Sequence, residues 1–464
     1  MAYKRNDQLN NFDVFPKVFA AGREAAVHIR TLGGRVAFHD DTKYTVKVCA
    51  LDGGNPYHFP KTASFVDVEA SCDADGMLTF THTFPSEQMY FLRVSDGERQ
   101  LCELNVYAVG ADLVGRYPFL GDLHMHTYRS DGSQHPAVVC AEYRRYGYDF
   151  TVISDHHRYY PSLEAIGFYR GVPTEMTIVP GEEVHLPPVH GKTGDVHIVN
   201  FGGEYSVNGL VEATQIWEKG KDLKYRAYRE NDVPDVMTQD EYSDELEAYA
   251  AKLDIPDDID PIPAAICSWA FGQIKKAGGL AIFAHPNWIE NVYHVPEKLT
   301  DWLFEKREFD AFEVLGGERY YEQNGFQTAR YYEECAKGHK VPIVGSTDSH
   351  SCYDTNKGYN VASTIIFSPR NERKALIESV RGFYSVAVDT ISEEFRLVGD
   401  SRLVRYGTFL LQYFFPLHDE LCFEEGRLMK QYATGTAAEK AEALEALGHI
   451  CGRVGRLREK YFAF

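Results

Sequence analysis

Histidines and acids gather at a few points in this chain of 464 residues. Asp122-Leu123-His124-Met125-His126 is followed closely by Ser130-Asp131-Gly132. Asp155-His156-His157 and Gly181-Glu182-Glu183-Val184-His185 come next, then a lone His197. Ala284-His285-Pro286 and Asp348-Ser349-His350 complete the set. Neutral imidazole and carboxylate are the donors that hold Zn²⁺, Mn²⁺ and Fe²⁺. Side chains two apart on an extended strand share a face. His124 and His126 can therefore chelate one ion together, and so can Asp348 and His350. Glu182 and Glu183 are adjacent, so alternation lets only one of them face that side. A single histidine at a strand end is more often structural than a ligand. Six histidines and three carboxylates gathered at strand ends are not expected by chance.

Those strand ends follow from the hydropathy pattern. From Tyr117 onward, strands alternate with helices, which favours a parallel sheet or barrel. Seven candidate strands read as Pro118–Leu123, Phe150–Ser154, Thr177–Val184, Val196–Phe201, Leu280–Ala284, Ala311–Leu315 and Val341–Ser346. Helices are expected at Pro136–Tyr146, Cys267–Lys276 and Gln327–Lys337. Pro136 suits a first helical turn, and Gly278 and Gly338 suit helix ends. In a (β/α) barrel the C-terminal strand ends converge on one face, where catalytic groups meet. His197 differs in lying near the start of its strand.

Residues 1–112 read as short strands separated by Gly, Asp and Asn turns, an N-terminal β-sandwich-like domain. Its candidate strands are Ala25–Leu32, Tyr44–Leu51, Ala63–Ala70, Met77–Phe84, Met89–Val94 and Leu101–Val109, and they carry no catalytic cluster. Residues 113–400 would form the barrel, interrupted at 204–260 by an insertion holding sixteen acids and six bases. That insertion is expected to be partly helical. Trp217, Tyr225, Tyr228, Tyr242 and Tyr249 indicate that it packs on something. It reads as a solvated acidic elaboration or as a lid over the site. Residues 401–464 read as a C-terminal helical segment, strongest over Ala437–Lys460.

In order, HxH, SDG, DHx, GxE, a lone His, AHP and DxH resemble the motifs of the PHP (polymerase and histidinol phosphatase) superfamily of metal-dependent hydrolases. The resemblance covers about residues 117–400. It implies a distorted (β/α)7 barrel and a centre of two to three divalent ions, Zn, Mn or Fe. His124, His126, Glu183 and Asp348 would hold the first ion. Glu183 would bridge to a second, completed by His197 and His285. Asp131, His156 and His350 would hold a third. The family's G-x-E spacing selects Glu183 over Glu182, and the ligand after Asp155 is His156. Many family members carry Asn where this chain has His157, so that position departs from the common pattern.

The implied activity is hydrolysis of a small phosphate ester, with a metal-bridging hydroxide attacking phosphorus in line. Glu183, Asp348, His157 and His185 are the candidate catalytic residues. His157, His185 and His190 are the candidates for the acid that protonates the leaving group. Arg129, Arg158 and Lys192 adjoin ligands and are candidate phosphate contacts, though a surface charge is the plainer reading of each. Asp155 is placed to orient a ligand. The same metal platform serves a carboxyl ester, carbamate or amide hydrolase. A phosphate bound across the metals, against an apolar pocket lacking cations, distinguishes the two. A nuclease is a third reading, and a non-enzymatic metal scaffold a fourth.

The formal charge of −20 argues against a long nucleic acid or an anionic membrane as partner. About half of it sits in residues 204–260. No apolar run approaches the ~20 residues of a membrane span. The first residues turn polar at once, without a signal-peptide pattern. The nine cysteines are scattered without a CxxC pair. They read as free thiols of a cytoplasmic protein. Oligomeric state is open.

Overall fold

A computed structural model describes residues 7–34, 36–52, 65–97, 99–194, 196–212, 233–317, 321–353, 362–390 and 396–464. Two units divide the chain. One comprises Met1–Tyr117, Ser401–Leu421 and Gly452–Phe464; the other comprises Pro118–Asp400 and Cys422–Cys451. The C-terminal stretch is thus shared between them.

The first unit is built on a nine-stranded sheet. Its strands alternate burial with exposure, as in Tyr44–Ala50, where Tyr44, Val46 and Val48 turn inward. Val66–Cys72 changes partner midway. Val66–Ala70 pair with Tyr44–Ala50, and Ser71–Cys72 with Leu78–Thr83. One apolar cluster draws on both halves, including Phe12, Val27, Phe80, Val46, Leu92 and Leu104. Val18–Ala20 pairs in parallel with Gln100–Val109 and with the C-terminal Phe462–Ala463. The run expected to be helical over Ala437–Lys460 is two helices, Ala437–Ile450 and Arg453–Tyr461. Gly452 lies between them at φ +82°, a left-handed conformation that suits glycine and ends the first helix.

The second unit is mixed α/β. Its main strands are β1 (Tyr117–Asp122), β2 (Phe150–Val152), β3 (Thr177–Val179), β4 (Gly181–Val184), β5 (Ile198–Phe201), β6 (Leu280–Phe283), β7 (Ala311–Leu315), β8 (Ile343–Gly345), β9 (Ala362–Ser368), β10 (Ser385–Asp389) and β11 (Arg396–Val398). One sheet runs β3-β2-β1-β9-β10-β11 and the other β4-β5-β6-β7-β8. Single bridges tie the two sheets at both ends, His156 to Glu183 and Met125 to Ser349. The result is a nearly closed, barrel-like wall. The strand expected over Thr177–Val184 is two strands, because Pro180 between them has no N–H to give a ladder. The strands β9, β10 and β11 extend the first sheet beyond the seven read from sequence.

β5 runs antiparallel to both β4 and β6. Its N-terminal end therefore lies with its neighbours' C-terminal ends, and His197 precedes it there. Helices α1 (Pro136–Arg145), α2 (Gln239–Ala250) and α3 (Pro261–Lys276) have clear starts. His135 accepts from the Ala137 amide, Thr238 and Glu241 form a capping box, and Asp260 accepts from the Ile262 amide. Of the acidic insertion, residues 213–232, with Trp217, Tyr225 and Tyr228, lie outside the described residues. Its α2 buries Tyr242 and Leu246, and Glu245 accepts from Trp269 Nε1 of α3 at 2.7 Å. Among the described residues, no helix is long and apolar enough to cross a membrane.

Candidate metal centre

The chain bends just past β1 and carries His124 and His126, both buried, with rings 5.2 Å apart. Glu183, on β4, reaches between the histidine groups. Its Oε2 lies 3.3 Å from Nε2 of His124, 3.3 Å from Nε2 of His126 and 2.8 Å from Nδ1 of His156. Its Oε1 lies 2.8 Å from Nδ1 of His197 and 3.3 Å from Nε2 of His185. Asp348, after β8, places Oδ1 2.9 Å from His126 and 3.3 Å from His124, and Oδ2 3.5 Å from His285. Asp131 stands 3.2 Å from His350 and 3.7 Å from His156. All nine ligand candidates therefore meet at one end of the strands. His124, His126, Glu183 and Asp348 have ligand atoms within 4.8 Å of one another, and so do His126, Asp131, His156 and His350.

The donors fit a divalent ion. His126 Nδ1, Glu183 Oε1, His197 Nδ1 and both ring nitrogens of His285 are buried without a hydrogen-bond partner. His197 Nδ1 and Glu183 Oε1 are close, yet outside hydrogen-bond geometry. Buried polar atoms are ordinarily satisfied, and a cation satisfies lone pairs of this kind. Burial pushes His126 and His285 down to about 3 and His197 to about 4, so these rings are neutral. Burial opposes ionisation of Glu183 and Asp348, but His156 beside Glu183 and His124 beside Asp348 hold the two carboxylates well below the usual range. Neutral imidazole and ionised carboxylate are the forms that bind metal. His124 and His156 differ. Burial lowers both, but Asp348, Glu313 and Glu183 hold His124 well above its ordinary value, and Glu183, Asp131 and Asp348 raise His156.

Buried acids fix the ligand-bearing loops. Asp155 accepts from Thr127 N (2.8 Å), Thr127 Oγ1 (2.6 Å), Ser130 Oγ (2.5 Å) and Ser130 N (3.2 Å). It orients the loop carrying Asp131. Gly132 closes that loop, and a Cβ there would stand 2.6 Å from the carbonyl oxygen of His126. Asp122 accepts from Thr347 Oγ1 at 2.5 Å and from the amides of Thr347 and His124. Glu182 faces away from Glu183. It accepts from Ser206, Val207 N, Asn208 and Asn200. His157 and Asp348 hold left-handed backbone, φ +59° and +53°, rare for side-chain-bearing residues and concentrated at functional sites.

Other candidates are engaged as follows. His157 donates from Nδ1 to the His185 carbonyl at 3.2 Å, and burial beside His185 and His156 pushes it down to about 3. His185 Nε2 lies 2.9 Å from His156 Nδ1. His190 is mostly exposed and pairs with Glu247. Arg129 forks onto Glu164 at 2.8 and 2.7 Å. Arg158 donates to the Arg129 carbonyl. Lys192 pairs with Asp260 at 2.6 Å.

Two further residues join the site. Glu313, in the middle of β7, places Oε2 3.0 Å from His124 Nδ1. Burial pushes its carboxyl up to about 7. Its signal in the sequence is a lone acid inside the apolar run Ala311-Phe312-Glu313-Val314-Leu315. His294, 4.3 Å from the His197 ring, follows a two-stranded hairpin and carries no motif. Beside Glu183 a cavity of about 210 Å³ opens between His157, His185, His197 and His294 and the apolar face of α3.

No protein-family model matches the chain, and no curated protein does. Solved structures do. A two-domain protein from Bacteroides vulgatus containing a predicted PHP-like metal-dependent phosphoesterase aligns at 18% identity and TM-score 0.39, over 63% of this chain and 69% of that one. An amidohydrolase from Chromobacterium violaceum, solved with bound sulfate and no metal, aligns at 20% identity and TM-score 0.30, over 52% of this chain and 90% of that one.

Proposed function

We propose that this chain is a metal-dependent hydrolase of the PHP type, a phosphoesterase on a small soluble ester built on a distorted (β/α)7 barrel. The observation that carries the reading is Glu183, with five histidine nitrogens within 3.3 Å of its carboxylate and Oε1 left without a hydrogen bond. His124, His126, Glu183 and Asp348 would hold one ion, Glu183, His197 and His285 a second, and Asp131, His156 and His350 a third. Bound divalent ions supply acidified water and positive charge against the phosphoryl oxygens.

The protein's own groups do the rest. Asp155 and Asp122 hold the ligand loops in register. Glu313 fixes the ring of His124 from behind. His157 and His185 line the cavity and stand where a leaving oxygen would exchange a proton. Arg129 and Lys192 have acidic partners, so the phosphoryl group's charge falls to the metal centre.

A second reading is supported by the cavity. Among the described residues its lining holds no lysine or arginine, which suits a carboxyl ester or amide with an apolar group. Activity of the purified protein on a panel of phosphomonoesters, beside matched carboxyl esters and amides, separates the two. The phosphoesterase reading predicts release of phosphate that EDTA abolishes and added metal restores. Hydrolysis confined to the carbonyl substrates overturns it in favour of the second reading.

A further inference from the structure

The cavity beside Glu183 has two unlike kinds of lining. Histidines 157, 185, 197 and 294 face it from the metal centre. Val184 of β4, Ile198 of β5, and Ile266 and Ala270 of α3 line it as well. These four belong to the packed core of the unit, so the apolar wall is fixed rather than a surface dent. Among the described residues, no lysine, arginine or carboxylate lines the space. A charged group entering it would lose water without gaining an opposite charge. At about 210 Å³ it exceeds the ~150 Å³ of an apolar cavity known to hold benzene.

We infer that this cavity receives an uncharged aromatic or branched aliphatic group of the substrate. The inference rests on the hydrolase reading above and narrows it. The ester cleaved at the centre carries a compact apolar organic part rather than a sugar or a second charged group. Gly194 helps to shape the space, because a Cβ there would stand 2.9 Å from Ile266 Cγ2.

The test pairs activity with binding. Benzyl phosphate and ethyl phosphate have similar leaving groups and differ mainly in the ring. With Mn²⁺ restored, kcat/KM should favour benzyl phosphate at least tenfold. Ala270→Leu, which fills the cavity, should cut that preference at least fivefold. Ile266→Ala, which enlarges it, should raise the relative rate on naphthylmethyl phosphate, and it serves if the first variant does not fold. Independently, saturation-transfer NMR should detect benzyl alcohol on the wild type and at least fivefold weaker binding to Ala270→Leu. Benzyl alcohol binding that Ala270→Leu weakens, with neither phosphate ester hydrolysed, keeps the cavity assignment and removes the phosphoesterase reading. Ethyl phosphate hydrolysed as fast as benzyl phosphate, or benzyl alcohol binding unchanged in Ala270→Leu, overturns the inference and leaves the hydrolase reading standing.

Discussion

His124 Nδ1 and Glu313 Oε2 stand 3.0 Å apart, and both side chains are fully buried. The carboxylate fixes which imidazole nitrogen faces Glu183 and Asp348. Partners of this kind behind a ligand ring are worth roughly 10–100-fold in metal affinity. Glu313→Ala should weaken Zn²⁺ or Mn²⁺ binding by about that factor, with the far-UV circular dichroism unchanged. Glu313→Gln should lose less, because an amide oxygen still accepts. Affinities within twofold of wild type for both variants would remove the role.

Asp155 gathers four hydrogen bonds from Thr127 and Ser130. Without it, buried donors lose their acceptor at about 1–3 kcal/mol for each group left unsatisfied. Asp155→Ala should lower stability by several kcal/mol and release the ion at Asp131, His156 and His350 first. Differential scanning calorimetry and metal content read the two effects. Unchanged melting with full metal content would contradict this.

Arg144 is fully buried between Asp149, at 3.1 Å, and Glu425, at 2.9 Å. Glu425 belongs to the C-terminal stretch that folds with the barrel unit. Removing one partner of a buried ion pair costs about 3–5 kcal/mol. Glu425→Ala should destabilise the protein by about that much in urea denaturation. A loss below about 1 kcal/mol would show that this contact contributes little.

Lys17 is buried against the ring of Tyr461, 4.3 Å from its centroid. Burial pulls its pKa from 10.5 to about 8, with Asp13 opposing the shift. Between those values the unfolded chain holds a proton that the native chain has lost. Native stability from this group therefore rises with pH across that window and is flat below it. Lys17→Met lacks the dependence. From about pH 8.5 to 9.5 the wild type should gain about 1.2 kcal/mol relative to Lys17→Met. A constant gap in urea denaturation would contradict the burial of a charged lysine.

The residues readable in the sequence were those whose spacing carries geometry. For His-x-His the ligand atoms of His124 and His126 do converge, but for Asp-x-His they do not. Asp348 joins His124, His126 and Glu183, whereas His350 joins His126, Asp131 and His156. The left-handed backbone at Asp348 breaks the extended geometry that would put the two on one face. Alternation placed Glu182 and Glu183 on opposite sides, as their separate partners show. Strand direction was not readable. A four-residue apolar run such as Ile198–Phe201 has no polarity, so the antiparallel β5 appears only once its neighbours are known. Glu313 and His294 escaped because each stands alone, and its partner is far away in sequence. The pairings of Arg129 with Glu164 and Lys192 with Asp260 are tertiary for the same reason. Pro180 was visible, but its effect, assigning β3 and β4 to different sheets, depends on where each strand finds a partner.

The central claim is that the cluster around Glu183 is a divalent-metal centre. The most direct measurement is the metal content of the protein after loading with Zn²⁺, Mn²⁺ or Fe²⁺ and exhaustive dialysis. Inductively coupled plasma mass spectrometry of wild type and Glu183→Gln reads it. The account predicts more than one tightly held ion per wild-type chain, and loss of most of that metal from a folded Glu183→Gln. A wild type that retains no metal, or a Glu183→Gln variant that retains as much as wild type, would contradict it.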